Sequence, residues 1–256
     1  MLKISKRLEQ IANQVPVGST LADIGSDHAL LPAYLVQQDR ITRAIAGEVN
    51  PGPFQAAAKQ VKEAELNYKI EVRLGDGLEV ISPNEVDVIT IAGMGGALIA
   101  SILEAGKAKL PGVKRLILQP NVGESNVRSW LIANGWVLTN EQILEEDHKI
   151  YEILTAVPAD QTELTDSFVY RTRELEQGHH ADRELLLKLG PYLLDRPTEV
   201  WHRKWQLELN KLDMIRHQLS LSALEESKRK QQDVEREMKQ IREVLACLPK
   251  DKASFN

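Results

Sequence analysis

The sequence predicts an α/β fold, with a largely parallel sheet in the first part of the chain and an all-helical region after it. Short apolar runs alternate with helix-periodic segments up to about residue 157. The runs are almost continuously apolar, as in strands that are covered on both faces. After Pro158, strand patterns give way to apolar residues three or four positions apart. Such alternation is typical of βαβ units with right-handed crossovers.

Each element of the first part follows from its own pattern. Strands are predicted at the short apolar runs, residues 20–24, 44–48, 70–74, 86–92 and 116–119. Helices are predicted at the periodic segments around them, residues 5–15, 29–38, 51–66, 97–105 and 126–133. Prolines at the start of the third helix are tolerated, because amides of the first turn have no partner within the helix. Residues 137–145 and 151–157 are predicted to form a closing antiparallel pair.

The second part contains two apolar stripes at helical spacing. The first consists of Trp201, Trp205, Leu209, Leu212, Ile215 and Leu219, and the second of Val234, Met238, Ile241, Leu245 and Leu248. The segment 222–230 between them is polar and lacks a stripe. This pattern predicts an antiparallel coiled-coil hairpin that docks on helices within residues 166–194. We therefore expect two domains, residues 1–160 and 161–256.

Composition limits the classes of function. The chain has 256 residues and a formal net charge of −5, so only a local basic patch would bind nucleic acid. It has one cysteine, Cys247, and neither a long apolar run nor an apolar signal core at its start. We therefore expect a cytoplasmic protein without a membrane segment. The adjacent His179 and His180 and the other histidines show no ligand spacing, so no metal site is expected.

The turn after the first predicted strand indicates the ligand class. A dinucleotide site carries three glycines, whereas here only Gly25 is present and Asp27 occupies the second glycine position. A carboxylate beside a pyrophosphate is repelled by it. S-adenosylmethionine fits better, because it has an adenosine, a sulfonium and an ammonium group but no phosphate. The alternative is a tight turn whose polar side chains cap the next helix.

Polar residues and glycines also end the next three strands. In an open parallel sheet, ligands bind outside the carboxyl ends of the strands. Glu48 is placed to accept hydrogen bonds from ribose hydroxyls, and Asp76 from an adenine amino group. The glycines after the fourth strand leave room for the methionine part of a cofactor or for a target base. Alternatively, Glu48 is a loop acid with a local partner, Asp76 and Gly77 form a turn, and the glycines after the fourth strand allow close helix–strand packing. The cofactor-binding candidates are Asp23, Gly25, Asp27, Glu48, Asp76, Gly77, Gly93 and Met94.

The blocks at the strand ends resemble those of the TrmK-type tRNA (adenine-N1)-methyltransferases. They are Asp23-Ile24-Gly25-Ser26-Asp27-His28-Ala29, Gly75-Asp76-Gly77-Leu78, Ile91-Ala92-Gly93-Met94-Gly95-Gly96, Gln119-Pro120-Asn121 and Glu145-Glu146-Asp147. The resemblance implies a Rossmann-like class I methyltransferase domain that uses S-adenosylmethionine, followed by a coiled-coil domain. It also implies a bacterial tRNA substrate that is methylated at adenosine 22.

Methylation at N1 of adenine needs positioning more than base catalysis, because neutral adenine has a free lone pair there. Since N1 is hidden in paired or stacked RNA, we expect the adenosine to be extruded. Gln119 or Asn121 is then placed to read the adenine edge, although Asn121 also suits a turn. Asp27 and His28 are expected between cofactor and target. His28 is equally compatible with a helix cap.

The tRNA must meet positive charge despite the acidic total. The candidate contacts are Lys3, Lys6, Arg7, Lys228, Arg229 and Lys230, the last three at the tip of the predicted hairpin. Solvated helix faces are the alternative interpretation of each cluster. A class I methyltransferase with another substrate and a non-catalytic nucleotide-binding interaction module are the competing functions. The oligomeric state is left open, because the same stripes can pair within or between chains.

Overall fold

The computed structural model describes residues 2–222 and 224–248 of the chain. It divides into two compact units, Met1–Asp166 and Ser167–Asn256. The predicted domain boundary at residue 160 lies shortly before this division. Within the described residues, no helix is long and apolar enough to cross a membrane.

The first unit is built on one mixed sheet. Its strands are β1 Ser19–Ile24, β2 Ile41–Glu48, β3 Ile70–Leu74, β4 Val88–Gly95, β5 Arg115–Val122, β6 Trp136–Glu146 and β7 Lys149–Pro158. The spatial order is β3-β2-β1-β4-β5-β7-β6. The first five strands run parallel, whereas β7 is antiparallel to both β5 and β6. The predicted α/β class with an antiparallel closing pair is confirmed.

The helices of the first unit are α1 Lys6–Gln14, α2 Leu30–Gln37, α3 Pro51–Glu63, α4 Gly96–Ala105 and α5 Glu124–Ala133. Helix α1 precedes β1, and a helix follows each parallel strand except β3, which leads to β4 through the 3₁₀ turn Gly77–Val80. Ile11 of α1, Leu31 of α2 and Leu21 of β1 belong to one fully buried core cluster. Each such side chain contributes about 1.5–3 kcal/mol on burial. Because the strand order reverses between β1 and β4, a crevice for ligands lies outside their carboxyl ends.

Strand β4 is longer than predicted. It continues through Gly95 because Met94 and Gly95 still pair with β5, opposite Pro120 and Val122. The register shifts on both sides of Met94, which marks an irregular strand end. Gly93 and Gly95, which were expected to follow the strand, therefore form its end.

The second unit contains two long helices. The short helices α6 Asp166–Val169, α7 Arg183–Leu189 and α8 Pro191–Asp195 precede α9 Glu199–Ser220 and α10 Glu225–Cys247. Glu199 and His202 of α9 line the same cleft as Arg242 and Leu245 of α10, so the two helices run antiparallel. The first stripe is buried from Trp201 to Leu212 and half-buried toward the tip. In the second stripe Met238 and Ile241 are buried, whereas Leu245 and Leu248 are half-buried and Val244 and Cys247 occupy the buried positions near the base.

The second unit is largely helical, as predicted, and also contains a small strand pair that was not predicted. Strands β8 Arg173–Glu174 and β9 His180–Ala181 form a small antiparallel pair. Pairs of two residues are too short to show an alternating pattern, so the sequence carries no signal for them.

Candidate active site

The ends of β1, β2 and β3 are joined by hydrogen bonds to Glu48 and its neighbour. The Gly25 amide donates to the Gly47 carbonyl at 2.9 Å, and the Asp27 amide donates to Glu48 Oε1 at 2.8 Å. The Gly75 amide donates to the Glu48 carbonyl at 2.9 Å. Burial raises the pKa of Glu48, and the nearby Asp27 carboxylate adds to this effect. Glu48 is 7% exposed and is thus a largely desolvated acceptor at the centre of the crevice.

Asp23 is turned inward. Ser26 Oγ donates to one carboxylate oxygen at 2.6 Å, and Thr90 Oγ1 donates to the other at 2.5 Å. Burial raises the pKa of Asp23, although both hydroxyls favour its charged form. Both oxygens are already engaged, so the structure gives Asp23 a supporting place beneath the turn. Thr90 was not among the predicted site residues, although a polar residue inside an apolar strand is a signal that the sequence carries.

The turn between β1 and α2 has an unusual backbone. Asp27, His28 and Ala29 have φ of 38°, 61° and 54°, the left-handed region that residues other than glycine rarely adopt. Such conformations cost on the order of 1–3 kcal/mol each and occur preferentially at functional sites. Helix α2 begins without a side-chain cap, so His28 does not cap it. The side chains of Asp27 and His28 are 87% and 56% exposed and face the solvent.

Gly25 and Met94 bring two predicted blocks into contact. Gly25 has φ of 68°, and a Cβ added to it would overlap the terminal methyl of Met94. A side chain at position 25 would therefore be strained and would displace Met94. The turn after β1 and the end of β4 consequently form one continuous wall.

The glycines at the end of β4 have different roles. A Cβ on Gly96 would overlap the Gly123 carbonyl, so Gly96 allows close packing between α4 and the loop after β5. A Cβ on Gly95 would have no neighbour within 4 Å, and one on Gly93 would meet only Arg7 Nη1 at 3.8 Å. Gly93 and Gly95 therefore border open space, as expected for a ligand cradle.

The end of β3 presents a second exposed acid. Asp76 follows the strand, is exposed and makes no cap bond to the 3₁₀ turn Gly77–Val80. Gly77 has φ of 52°, and a Cβ on it would lie 2.9 Å from the Ile102 side chain. The exposed apolar side chains of Val49 and Leu74 belong to the same strand ends. Apolar faces beside an acceptor suit a purine with an amino group.

Gln119 and Asn121 belong to a hydrogen-bond network with Arg7 and Gly93. Gln119 Oε1 accepts from Arg7 Nη1 at 2.5 Å and from the Gly93 amide at 3.2 Å. Gln119 Nε2 donates to Asn121 Oδ1 at 3.1 Å, and Asn121 Nδ2 donates to the Gly93 carbonyl at 2.7 Å. The arginine and the backbone amide only donate, and the carbonyl only accepts. The network therefore determines the orientation of both amides.

Two predicted roles change in this network. Gln119 is fully buried and both ends of its amide are bonded, so it does not face a substrate and is not a reader of the base. Asn121 is exposed, which leaves it as the amide that can meet a target base. Arg7 is half-buried and bonded to Gln119, which distinguishes it from the exposed Lys3 and Lys6.

The basic triplet expected at the hairpin tip lies in the first turns of α10. Lys228 and Lys230 are exposed and form ion pairs of 2.7 Å with Glu225 and Glu226. Exposed ion pairs contribute about 0–1 kcal/mol, so they do not prevent the lysines from turning toward a phosphate. The acids do lower the net positive charge of this surface.

These groups fit S-adenosylmethionine and define a class of protein. Acids lie at the ends of β1, β2 and β3, open space borders Gly93 and Gly95, and an aspartate occupies the turn where a phosphate would bind. Within residues 2–222 and 224–248, no cluster of side chains suited to a metal ion is present. The fold and site are those of a class I methyltransferase that uses S-adenosylmethionine.

Comparisons with known proteins identify the family. The family model for TrmK, tRNA (adenine(22)-N(1))-methyltransferase, matches residues 21–243. The Bacillus subtilis tRNA (adenine(22)-N(1))-methyltransferase is 45% identical over 245 residues, which cover 95% of this chain and 98% of that protein. This chain therefore belongs to the TrmK family, and the predicted resemblance is confirmed.

Solved structures agree with this assignment. The crystal structure of the B. subtilis M1A22 tRNA methyltransferase TrmK has a TM-score of 0.86 and 44% identity, covering 96% of this chain and 100% of that one. Streptococcus pneumoniae Sp1610 in complex with S-adenosyl-L-methionine has a TM-score of 0.77 and 43% identity, covering 95% of this chain and 100% of that one.

Proposed function

We propose that this protein transfers a methyl group from S-adenosylmethionine to N1 of adenosine 22 in tRNA. Membership of the TrmK family supports the reaction and its target. The observation that carries the proposal is the exposed amide of Asn121, which the Gly93 carbonyl holds at 2.7 Å beside the cofactor candidates. An oriented amide at this position is what recognition of an adenine edge requires.

The cofactor half of the site is formed by the ends of β1 to β4. Glu48 accepts from the ribose hydroxyls, because its carboxylate has acceptor capacity beyond the bond to the Asp27 amide. Asp76 accepts from the adenine amino group, and Gly93 with Met94 borders the methionine part. Asp23 supports the turn from below through Ser26.

Asn121 recognises adenine without blocking the reacting atom. Its amide keeps one N–H and one oxygen lone pair after its bonds to Gln119 and Gly93. Asparagine pairs with adenine through N6 and N7, which leaves N1 free. The base must leave the RNA stack to reach this position, as expected when N1 is otherwise hidden.

The chemistry requires positioning and exclusion of water. S-adenosylmethionine supplies a methyl group whose bond to sulfur breaks as the bond to N1 forms. No proton leaves N1, because its lone pair is free in neutral adenine. The product base is cationic, and the exposed carboxylate of Asp27 stabilises it. His28 lies beside Asp27 at 3.8 Å and contributes to the same rim.

The RNA body contacts the exposed lysines Lys3 and Lys6 at the start of the chain. The triplet Lys228, Arg229 and Lys230 provides a second contact on the helical hairpin. Both surfaces are exposed and basic, and phosphate contacts of this kind weaken with salt.

The test uses tRNA transcripts that carry adenosine or guanosine at position 22, with labelled cofactor. We expect 1-methyladenosine only in the first transcript. Asp27→Asn removes the charge and keeps a residue that tolerates the left-handed backbone, so we expect slower turnover without loss of folding. A different methylated nucleoside, transfer to a small acceptor, or cofactor binding without transfer would contradict the proposal.

A further inference from the structure

The start of α1 is anchored by an acid from the end of β6. Glu146 Oε1 accepts from the Lys6 amide at 2.6 Å, and Glu146 Oε2 accepts from the Arg7 amide at 3.2 Å. Ser5 adds a cap, because its Oγ accepts from the Leu8 amide at 3.2 Å. Amides of a first helical turn have no partner within the helix, so these bonds fix where α1 begins.

The anchored helix directs Arg7 to the active-site network. Its guanidinium carbon lies 5.3 Å from the centroid of the Tyr151 ring, and Nη1 donates to Gln119 Oε1 at 2.5 Å. An aromatic face on one side and an amide oxygen on the other leave the guanidinium little freedom. Arg7 is also half-buried, whereas its neighbour Lys6 is exposed.

Arg7 controls the orientation of the Gln119 amide, which is buried and does not face the crevice. Without Arg7, the Gly93 amide at 3.2 Å is the one donor that remains at Gln119 Oε1 among residues 2–222 and 224–248. Gln119 would then hold Asn121 less firmly, because its Nε2 donates to Asn121 Oδ1. Loosening Asn121 affects the one exposed amide of the network.

We propose that Arg7 is a positioning residue for methyl transfer, which acts through Gln119 to orient Asn121 against the target base. This inference rests on the proposed function. It assigns to Arg7 a role in turnover, in contrast to the phosphate contact that its charge alone predicts. Glu146 supports this role by fixing the start of the helix that carries Arg7.

The test compares Arg7→Ala, Arg7→Lys and Gln119→Glu in steady-state kinetics and cofactor titration. For Arg7→Ala we expect kcat to fall about 10- to 100-fold, as for other small misplacements of reacting groups. KM for tRNA and Kd for S-adenosylmethionine should stay close to the wild-type values. Lysine cannot reproduce the stacked planar fork, so Arg7→Lys should restore only part of kcat.

Gln119→Glu keeps Arg7 in place and removes the hydrogen bond from Gln119 to Asn121. Glutamate at this position still accepts from Arg7 and from the Gly93 amide, but it cannot donate to Asn121. We therefore expect a loss of kcat similar to that of Arg7→Ala. The assay is run well below the melting temperature of the variant, because a carboxylate at this fully buried position costs stability even beside Arg7. Lys6→Ala is the matched control, since it removes a positive charge from the same helix and should raise KM for tRNA without lowering kcat.

The outcomes distinguish the inference from the function on which it rests. If Arg7→Ala raises KM for tRNA in a salt-dependent way and leaves kcat unchanged, Arg7 is an RNA contact and the inference is wrong. A loss of cofactor affinity as large as the loss of kcat would make Arg7 a cofactor ligand and would equally overturn it. Wild-type protein without 1-methyladenosine formation on tRNA would overturn the proposed function, and the inference with it.

Discussion

Replacing Glu48 by glutamine separates the ligand-binding role of this residue from its structural role. Glutamine has nearly the same shape, and its oxygen can still accept from the Asp27 amide, which lies 2.8 Å from Glu48 Oε1. Its NH₂ group, however, cannot accept from a ribose hydroxyl. The substitution therefore removes a charged acceptor at a site that is 7% exposed.

The size of the effect follows from the bond that is lost. A hydrogen bond to a charged group contributes about 1.5–3 kcal/mol. At about 1.4 kcal/mol for each factor of ten, Glu48→Gln should weaken S-adenosylmethionine binding roughly 10- to 150-fold. Isothermal titration of wild-type and variant protein measures this directly. An affinity within about twofold of wild type would refute the ribose assignment.

Although Glu48→Gln should weaken cofactor binding, it should not lower the stability of the ligand-free protein. Burial raises the pKa of Glu48, so its charged form is less favourable in the folded state than in the unfolded state. A raised pKa contributes stability that is present at low pH and is lost as the pH rises through the folded value. At neutral pH, Glu48→Gln should therefore leave the melting temperature unchanged or raise it. A clear decrease would show that the charge of Glu48 holds the turn.

Two further predictions concern stability in acid and RNA binding. Lys114 and the Thr20 amide lower the pKa of Asp87 to about 2, so its contribution to stability should be lost as the pH falls from about 4 to about 2. Asp87→Asn should lower the free energy of unfolding by about 1–2 kcal/mol at neutral pH, after allowance for the exposure of Lys114. Chemical denaturation at several pH values should show a flatter pH dependence for the variant. An unchanged pH profile would refute the role of Asp87. Reversing Lys228, Arg229 and Lys230 to glutamate should weaken tRNA binding and reduce its salt slope. Reversing Arg236, Lys239 and Arg242, three exposed basic residues farther along α10, changes the charge equally and should do so less. Equal effects of the two sets would indicate a general charge effect without a contact at the tip.

Much of the fold was predictable because its signals are local. All seven strands of the main sheet were expected near their observed positions, since most of the parallel strands are short apolar runs and the closing pair β6 and β7 lies at the end of the alternating pattern. The pair β8 and β9 was missed because it is too short to carry a pattern. The domain boundary at residue 160 and the cytoplasmic location stay predictions.

The candidate site was predictable as a set of positions. Polar residues at the ends of parallel strands meet at one edge of the sheet, so Glu48, Asp76 and the Gly25 turn were expected together. Their exact partners were not predictable in this way. Asp23 was expected at the ligand and is engaged below the turn by Ser26 and Thr90.

By itself, the sequence determined the order of strands and helices, the class of cofactor and the family, because these depend on local patterns and on recurring blocks. Only the tertiary structure decided which side chains face the crevice. Arg7 and Gln119 are 112 residues apart, and Lys6 and Glu146 are 140 apart. No local pattern relates positions so distant; their contact results from the packing of α1 against the closing strands. Because Gln119 is buried, it supports Asn121 and does not face the crevice. Arg7 belongs to the site through its hydrogen bond to Gln119.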